Sequence, residues 1–85
     1  MTPVDALEMI HEYAAANRIA VTDHARRRMR ERGVTFGDLQ HALANASSCS
    51  AQESGTWRAD GRDRDGDELT VVVAIEDGLI VVTLF

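Results

Sequence analysis

Two Asp-Gly dipeptides, at residues 65–66 and 77–78, constrain the fold of this 85-residue chain more than any other feature. Each lies between runs of strand-forming residues, and Asp-Gly is preferred in tight β-hairpin turns because both positions tolerate positive φ. Two successive hairpins predict an antiparallel meander. The last two runs, ELTVVVAIE and LIVVTLF, are nearly continuous and β-branched, which indicates central, buried strands. The predicted strands span about 47–54, 56–64, 67–76 and 79–85.

Helical patterns precede these strands. Thr22 or Asp23 can cap a helix that Gly33 ends, and Thr35 with Asp38 forms the capping pattern of another. The predicted helices span about 3–17, 23–32 and 36–45. Helices followed by strands indicate an α+β class, with two to three N-terminal helices packed on one face of a three- to four-stranded antiparallel meander sheet. A chain of this length forms a single domain, 1–85.

Composition excludes several classes of function. Cys49 is the one cysteine, so neither a disulfide scaffold nor a zinc module is indicated. Nucleotide-binding, zinc-protease and serine-hydrolase motifs are missing, and the acidic loop 60–68 does not fit the spacing of a calcium site. Without a signal peptide or a long apolar run, the chain is expected in the cytoplasm, away from the membrane. We expect no metal and no cofactor.

Charge is distributed unevenly. The net charge is −5, yet all nine cations are arginines and five of them lie within residues 26–32. At 100° per residue His24, Arg28 and Arg32 form one stripe, beside an apolar stripe that should dock the helix on the sheet. A histidine flanked by arginines can act as general acid or base while the guanidinium groups bind phosphate. The alternative is a solvated basic helix surface.

A second polar face is predicted on the strand TWRADGR. Because side chains alternate along a strand, Arg58, Asp60 and Arg62 share one face and Trp57 points to the other. This could be a functional surface or simply the wet side of a sheet covered by helices on its other side. Trp57 either packs in the core or stacks on a nucleic-acid base.

The run HARRRMRERGVTFGDLQHAL (24–43) resembles the HAxxRMxxRGI(S/T)xxD(L/V)xxAL signature of a family of small bacterial proteins of unknown function. The downstream pattern, which includes Gly61, Asp63, Gly66 and Leu69, is similar as well. That family is placed near toxins of the MqsR and RelE type, small ribonucleases with helices packed on an antiparallel sheet. The resemblance covers about residues 20–85.

The resemblance implies a toxin of a toxin–antitoxin system that cleaves RNA without a metal, by attack of the 2′-hydroxyl. Its partners would be RNA and a cognate antitoxin. On an ungapped alignment, Leu69 and Leu84 stand where MqsR has lysine and tyrosine, so a different residue set would carry catalysis. The candidate catalytic residues are His24, Arg28 and Arg58, and the candidate RNA-binding residues are Arg32, Asp60, Arg62 and Trp57.

Two alternatives remain at this point. The first is a non-catalytic module that binds protein or RNA on the same fold, for which the acidic net charge favours a protein partner. The second is a homodimer formed through the weakly specified edge strand near residues 47–54.

Overall fold

The computed structural model describes residues 1–85 as three helices packed on a five-stranded sheet. The class is α+β, with sheet order β1-β5-β4-β3-β2. None of the helices is long and apolar enough to cross a membrane. In chain order the elements are α1 (Pro3–Ala15), β1 (Ile19–Val21), α2 (Asp23–Arg32), α3 (Phe36–Ala44), β2 (Ser48–Ala51), β3 (Trp57–Arg62), β4 (Glu68–Ile75) and β5 (Leu79–Leu84).

Strand β1 corrects the prediction of a purely antiparallel meander with three or four strands. It pairs in parallel with β5, so the sheet is mixed and has five strands. The sequence does not reveal β1, because a strand of three residues is too short to show an alternating pattern. The pairing continues into the start of α2, where the Thr22 N–H donates to the Val81 carbonyl at 3.1 Å. This pairing holds the start of α2 against the edge of β5.

The hairpin between β3 and β4 is wider than the predicted two-residue turn. Its loop spans residues 63–67, and the Asp63 carboxylate accepts hydrogen bonds from the backbone N–H groups of Asp65 and Asp67, each at 2.9 Å. Gly66 adopts φ +88°, the left-handed conformation that ends such a loop. The second hairpin also differs from the predicted two-residue turn, because Ile75 pairs with Leu79 and the loop has three residues, 76–78; Asp77 and Gly78 in it both have positive φ.

Strand β2 is shorter than predicted and forms one edge of the sheet. It pairs only with β3, over residues 48–51, and the following residues form a turn in which the Gln52 N–H donates to the Thr56 carbonyl. Its outer edge therefore carries no strand. Assembly of two copies through this edge stays a prediction.

The core lies between the helices and one face of the sheet. Trp57, Ala59, Val71 and Val73 alternate along β3 and β4 towards the helices. On β5 a bulge opposite Val72 and Val73 puts Val81 and Leu84, three positions apart, on this same face. Helix α2 adds Ala25 and Met29 to the same core. The other face of the sheet is left uncovered, and we call it the open face. It presents Arg58, Asp60 and Arg62 of β3, Glu68, Thr70 and Val72 of β4, and Thr83 and Phe85 of the β5 region.

Helix α3 begins with a complete capping box. The Thr35 hydroxyl accepts from the Asp38 N–H at 3.1 Å, and the Asp38 carboxylate accepts from the Thr35 N–H at 3.0 Å. A second oxygen of Asp38 accepts from the Arg64 N–H at 3.2 Å, which ties the helix start to the β3–β4 loop. These bonds, the one from the Thr35 N–H first, hold the pKa of Asp38 below its usual value of 3.8.

We expect Asp38→Asn to lower the free energy of unfolding at neutral pH and to flatten its decline in acid. Because the folded pKa is the lower one, the carboxylate's contribution is present above about pH 4 and is lost as pH falls through the folded pKa. Urea denaturation from neutral pH into acid measures this difference. Asp65→Asn, an exposed residue in the β3–β4 loop that Asp38 contacts, is the control. Parallel pH profiles for wild type and Asp38→Asn would contradict the expectation.

Candidate functional site

Helix α2 delivers two of its polar side chains to the end of β5. His24 Nε2 lies 3.1 Å from Thr83 Oγ1, and Arg28 Nε donates to the Leu84 carbonyl at 3.2 Å. The i, i+4 spacing accounts for both contacts, since it places the two side chains one helical turn apart on the same side. Burial of Ala25 turns that side of the helix towards the sheet.

Strand β3 delivers Arg58 to the same segment from the opposite direction. Register places Arg58 opposite Val72 and Val72 opposite Thr83, so these residues form one row across three strands of the open face. The Arg58 guanidinium carbon lies 5.1 Å from the centre of the Phe85 ring, a cation–π contact. Its side chain remains 46% exposed, so the cation is accessible to a ligand.

The segment Thr83–Phe85 therefore gathers the three predicted catalytic side chains, one at each of its residues. His24 contacts Thr83, Arg28 contacts Leu84 and Arg58 contacts Phe85. We call this arrangement the His-Arg-Arg cluster. An imidazole and two guanidinium groups that contact consecutive residues are the group types that can bind a phosphodiester and exchange a proton with it.

Asp60 holds the strand side of the cluster in place. Its carboxylate accepts from the Ser48 hydroxyl at 3.2 Å and from the Thr70 hydroxyl at 3.3 Å, and it lies 3.9 Å from Arg58 Nε. Both charged side chains are about half exposed, so their ion pair contributes little to stability. Asp60 and Arg58 share no hydrogen bond, and direct RNA binding by Asp60 stays a prediction.

A polar pocket of about 490 Å³ borders the cluster and shares Arg58 with it. Its lining contains no hydrophobic residue and includes Arg62 and Glu68 of the open face. His41 and Asn45 of the α3 end complete it, and sequence reasoning missed both. In the sequence, His41 and Asn45 stand out only as two polar residues four positions apart at the end of a helix. This spacing does not show which strand lies beside them.

Two predicted RNA-binding residues lie apart from the cluster. Trp57 is 8% exposed and packs in the core, on the face opposite Arg58, which confirms the packing alternative and excludes the base-stacking one. Arg32 is exposed one turn beyond Arg28 and bonds to no other residue, so the structure does not bring it to β5 with His24 and Arg28. Phe85, 41% exposed on the open face, is the aromatic residue that sequence reasoning overlooked.

The positions aligned with the MqsR lysine and tyrosine are also in the core. Leu69 is 2% exposed and Leu84 is fully buried. Neither position can present a side chain to a substrate, whatever residue it carries, without disturbing the core. The lysine and tyrosine of MqsR therefore have no surface counterpart at these two positions.

Cys49 is not a candidate nucleophile. Its thiol donates to the Pro3 carbonyl at 3.2 Å. Burial, and to a lesser degree the negative charge of Asp60, raise the pKa of the Cys49 thiol. Because the thiolate is the reactive form, a raised pKa leaves this side chain inert at neutral pH.

Comparison with protein-family models matches residues 21–85 to the family described as "Domain of unknown function (DUF4258)". The chain belongs to the DUF4258 family. The part matched to DUF4258 includes α2, α3 and strands β2 to β5, and thus the whole His-Arg-Arg cluster and the polar pocket, whereas α1 lies outside it. No curated protein and no solved structure matches the chain. A relation of DUF4258 to MqsR or RelE stays a prediction.

Proposed function

We propose that the chain is a small endoribonuclease of the MqsR and RelE type that acts through the His-Arg-Arg cluster. One observation carries this proposal: His24, Arg28 and Arg58 come from two separate elements, and each contacts one residue of the three-residue segment Thr83–Phe85.

In the proposed reaction, His24 takes the proton of an RNA 2′-hydroxyl, and the oxygen attacks the neighbouring phosphorus. The bond from O2′ to phosphorus forms as the bond to O5′ breaks, which leaves a 2′,3′-cyclic phosphate and a 5′-hydroxyl end. The departing O5′ receives a proton from water, and His24 returns its proton to solvent. Arg58 and Arg28 stabilise the charge that develops on the phosphate oxygens, so no metal is needed for this step.

Local charge supports RNA binding in spite of the net charge of −5. The other four arginines of α2 lie on the same helix as His24 and Arg28, while α1 carries Asp5, Glu8 and Glu12 on the side of the fold away from the open face. Arg26, Arg27 and Arg30 are exposed and form no ion pair, so they can attract a polyanion without holding it in one position.

A ribonuclease of this kind would arrest growth as a toxin and would be neutralised by a cognate antitoxin protein. Induced expression in a bacterial host, scored for growth and RNA integrity, tests this part of the proposal. Arrest that is relieved by a small protein encoded beside the gene is the expected result. Normal growth with intact RNA at high expression would contradict the assignment as a toxin.

Purified protein is expected to cleave single-stranded RNA and to leave 2′,3′-cyclic phosphate ends. We expect Arg28→Ala to slow cleavage by about 10²-fold, since one donor to the developing charge is lost. Arg27→Ala, a neighbouring exposed arginine without a bonded partner, is expected to stay within about twofold of wild type. Equal losses for both variants would show that arginine acts only by general attraction.

A non-catalytic RNA-binding module is the second candidate. It is favoured by the surroundings of His24, whose one hydrogen-bonded side chain is Thr83, with no carboxylate to orient the ring. This candidate predicts salt-sensitive RNA binding that depends on Arg28 and Arg58, without any cleavage. The product analysis above separates the two candidates.

A further inference from the structure

The polar pocket beside the cluster has unused hydrogen-bonding capacity. Register places Arg62 directly opposite Glu68, yet the two side chains form no ion pair. Instead Arg62 Nη1 donates to the Gly66 carbonyl at 2.8 Å. The Glu68 carboxylate is left without a partner, and the remaining N–H groups of Arg62 are left free. A carboxylate and a guanidinium thus lie side by side in the pocket, each open to a ligand.

Helix α3 adds acceptors to the other side of the pocket. His41 Nδ1 lies 3.0 Å from the Arg62 carbonyl. A carbonyl can only accept, so Nδ1 carries the proton and Nε2 of the neutral ring is an acceptor. Asn45 donates its Nδ2 to the His41 carbonyl at 3.0 Å, which leaves its Oδ1 as an acceptor too. The pocket therefore combines a carboxylate, two neutral acceptors and a guanidinium.

We propose that this pocket binds one nucleobase of the RNA and that it selects guanine. The inference rests on the proposed function, since it takes RNA to be the ligand of the open face. Guanine presents two adjacent donors, N1–H and N2–H, which match the two oxygens of a carboxylate such as Glu68. It also presents the O6 and N7 acceptors to which arginine donates in pairs. Arg62 supplies such donors beside Glu68.

The other bases fit this arrangement poorly. Adenine and cytosine each place a ring-nitrogen acceptor beside their amino group, and that acceptor would face the Glu68 carboxylate. Uracil offers a single donor between two carbonyl oxygens. Discrimination is therefore expected from the pairing itself, since a mismatched base puts an acceptor or too few donors against the Glu68 carboxylate.

Position also fits a base that flanks the cleaved phosphate. Arg58 lines the pocket and also belongs to the His-Arg-Arg cluster. The Arg62–Glu68 pair lies four residues along β3 from the row formed by Arg58, Val72 and Thr83. At the rise of a β-strand this is a separation of about 14 Å. A short stretch of single-stranded RNA can span both.

Titration of the ¹⁵N-labelled protein with ribonucleoside 3′-monophosphates tests the proposal. We expect guanosine 3′-monophosphate to bind at least about tenfold more tightly than the adenosine, cytidine and uridine compounds, with shifts at His41, Arg62 and Glu68. Inosine 3′-monophosphate, which lacks only the N2 amino group, should bind more weakly than the guanosine compound. Glu68→Gln should remove this difference, and Glu8→Gln, on the exposed surface of α1, should preserve it.

Short RNA oligonucleotides form the second arm and distinguish a free nucleotide from a base within RNA. An oligouridine with a single guanine should bind more tightly than plain oligouridine, and Glu68→Gln should equalise them. Equal binding of both oligonucleotides by the wild type, or no preference among the mononucleotides, would overturn the proposal even if RNA is cleaved. Guanine selectivity without cleavage would instead support the pocket and reject the nuclease.

Discussion

Gly61→Ala is expected to destabilise the fold by about 3 kcal/mol, the largest effect of any conservative substitution that we predict. A Cβ atom at Gly61 would lie 2.3 Å from the Ala42 carbonyl oxygen and 2.9 Å from its carbon. Both atoms belong to the backbone of α3, so no side-chain rotation can relieve the overlap. The helix would have to move away from β3, which would open the core around Leu39 and Leu43.

Thermal unfolding followed by circular dichroism measures this effect. For a domain of this size the expected fall in Tm is at least about 12 °C. Gly37→Ala is the matched control, since its Cβ would meet the flexible end of the Arg64 side chain at 3.0 Å and the residue lies within α3. We expect that variant to be unchanged or slightly more stable, because alanine favours a helix over glycine. A Gly61→Ala protein with wild-type Tm would show that α3 does not pack this closely on β3.

His24→Ala is expected to slow RNA cleavage by about 10²- to 10⁴-fold, the range that a general acid–base group contributes. RNA affinity should change far less, because the guanidinium groups supply most of the phosphate binding. The loss should therefore appear in kcat and leave KM nearly unchanged. His24→Gln, whose amide can reach the position of Nε2 and hydrogen-bond to Thr83 but cannot exchange a proton at neutral pH, should be as slow as His24→Ala.

His11→Gln provides the control for loss of an imidazole. His11 Nε2 lies 2.8 Å from the Ala46 carbonyl, on α1 and away from the open face, and glutamine can donate the same bond. We expect wild-type cleavage for this variant. If His24→Gln cleaves at the wild-type rate, His24 only positions α2 on β5, and the proposed acid–base role is wrong.

Local signals in the sequence predict most of the fold. Capping residues specify where α2 and α3 begin, since Thr22 and Thr35 both accept from the first turn of their helix. The Asp-Gly dipeptides specify the order of the last three strands. Strand β1 could not be predicted in this way, because its three residues pair in parallel with a strand about 60 residues later in the chain. Pairing at that separation leaves no local pattern.

Packing and capping explain most of the residues in the run 24–43 that match the motif. Gly33 adopts φ +66° at the end of α2, a position that suits glycine. Thr35 and Asp38 form the capping box. The signature residues in the core are Ala25, Met29, Leu39, Ala42 and Leu43. His24 and Arg32 have no such role, and Arg28 only bonds a carbonyl at the strand end.

The candidate site is predictable in part. Helical spacing aligns His24 with Arg28, and strand alternation separates Arg58 from Trp57. What the sequence cannot specify is which strand these side chains reach, since this depends on the docking of α2 on β5. For the same reason the roles of Phe85 and His41 emerge only from tertiary contacts, at 5.1 Å to Arg58 and 3.0 Å to the Arg62 carbonyl respectively.

A double-mutant cycle on RNA cleavage tests most directly whether His24 and Arg58 form one site. Wild type, His24→Ala, Arg58→Ala and the double variant are compared under single-turnover conditions, with folding checked by thermal unfolding. Residues that act as a unit on one phosphate give strongly non-additive losses. We therefore predict that the double variant is no more than about tenfold slower than the slower single variant. The cluster would be contradicted as the site of reaction if the rate loss of the double variant equals the product of the two single losses. Single variants that cleave like wild type would contradict it as well.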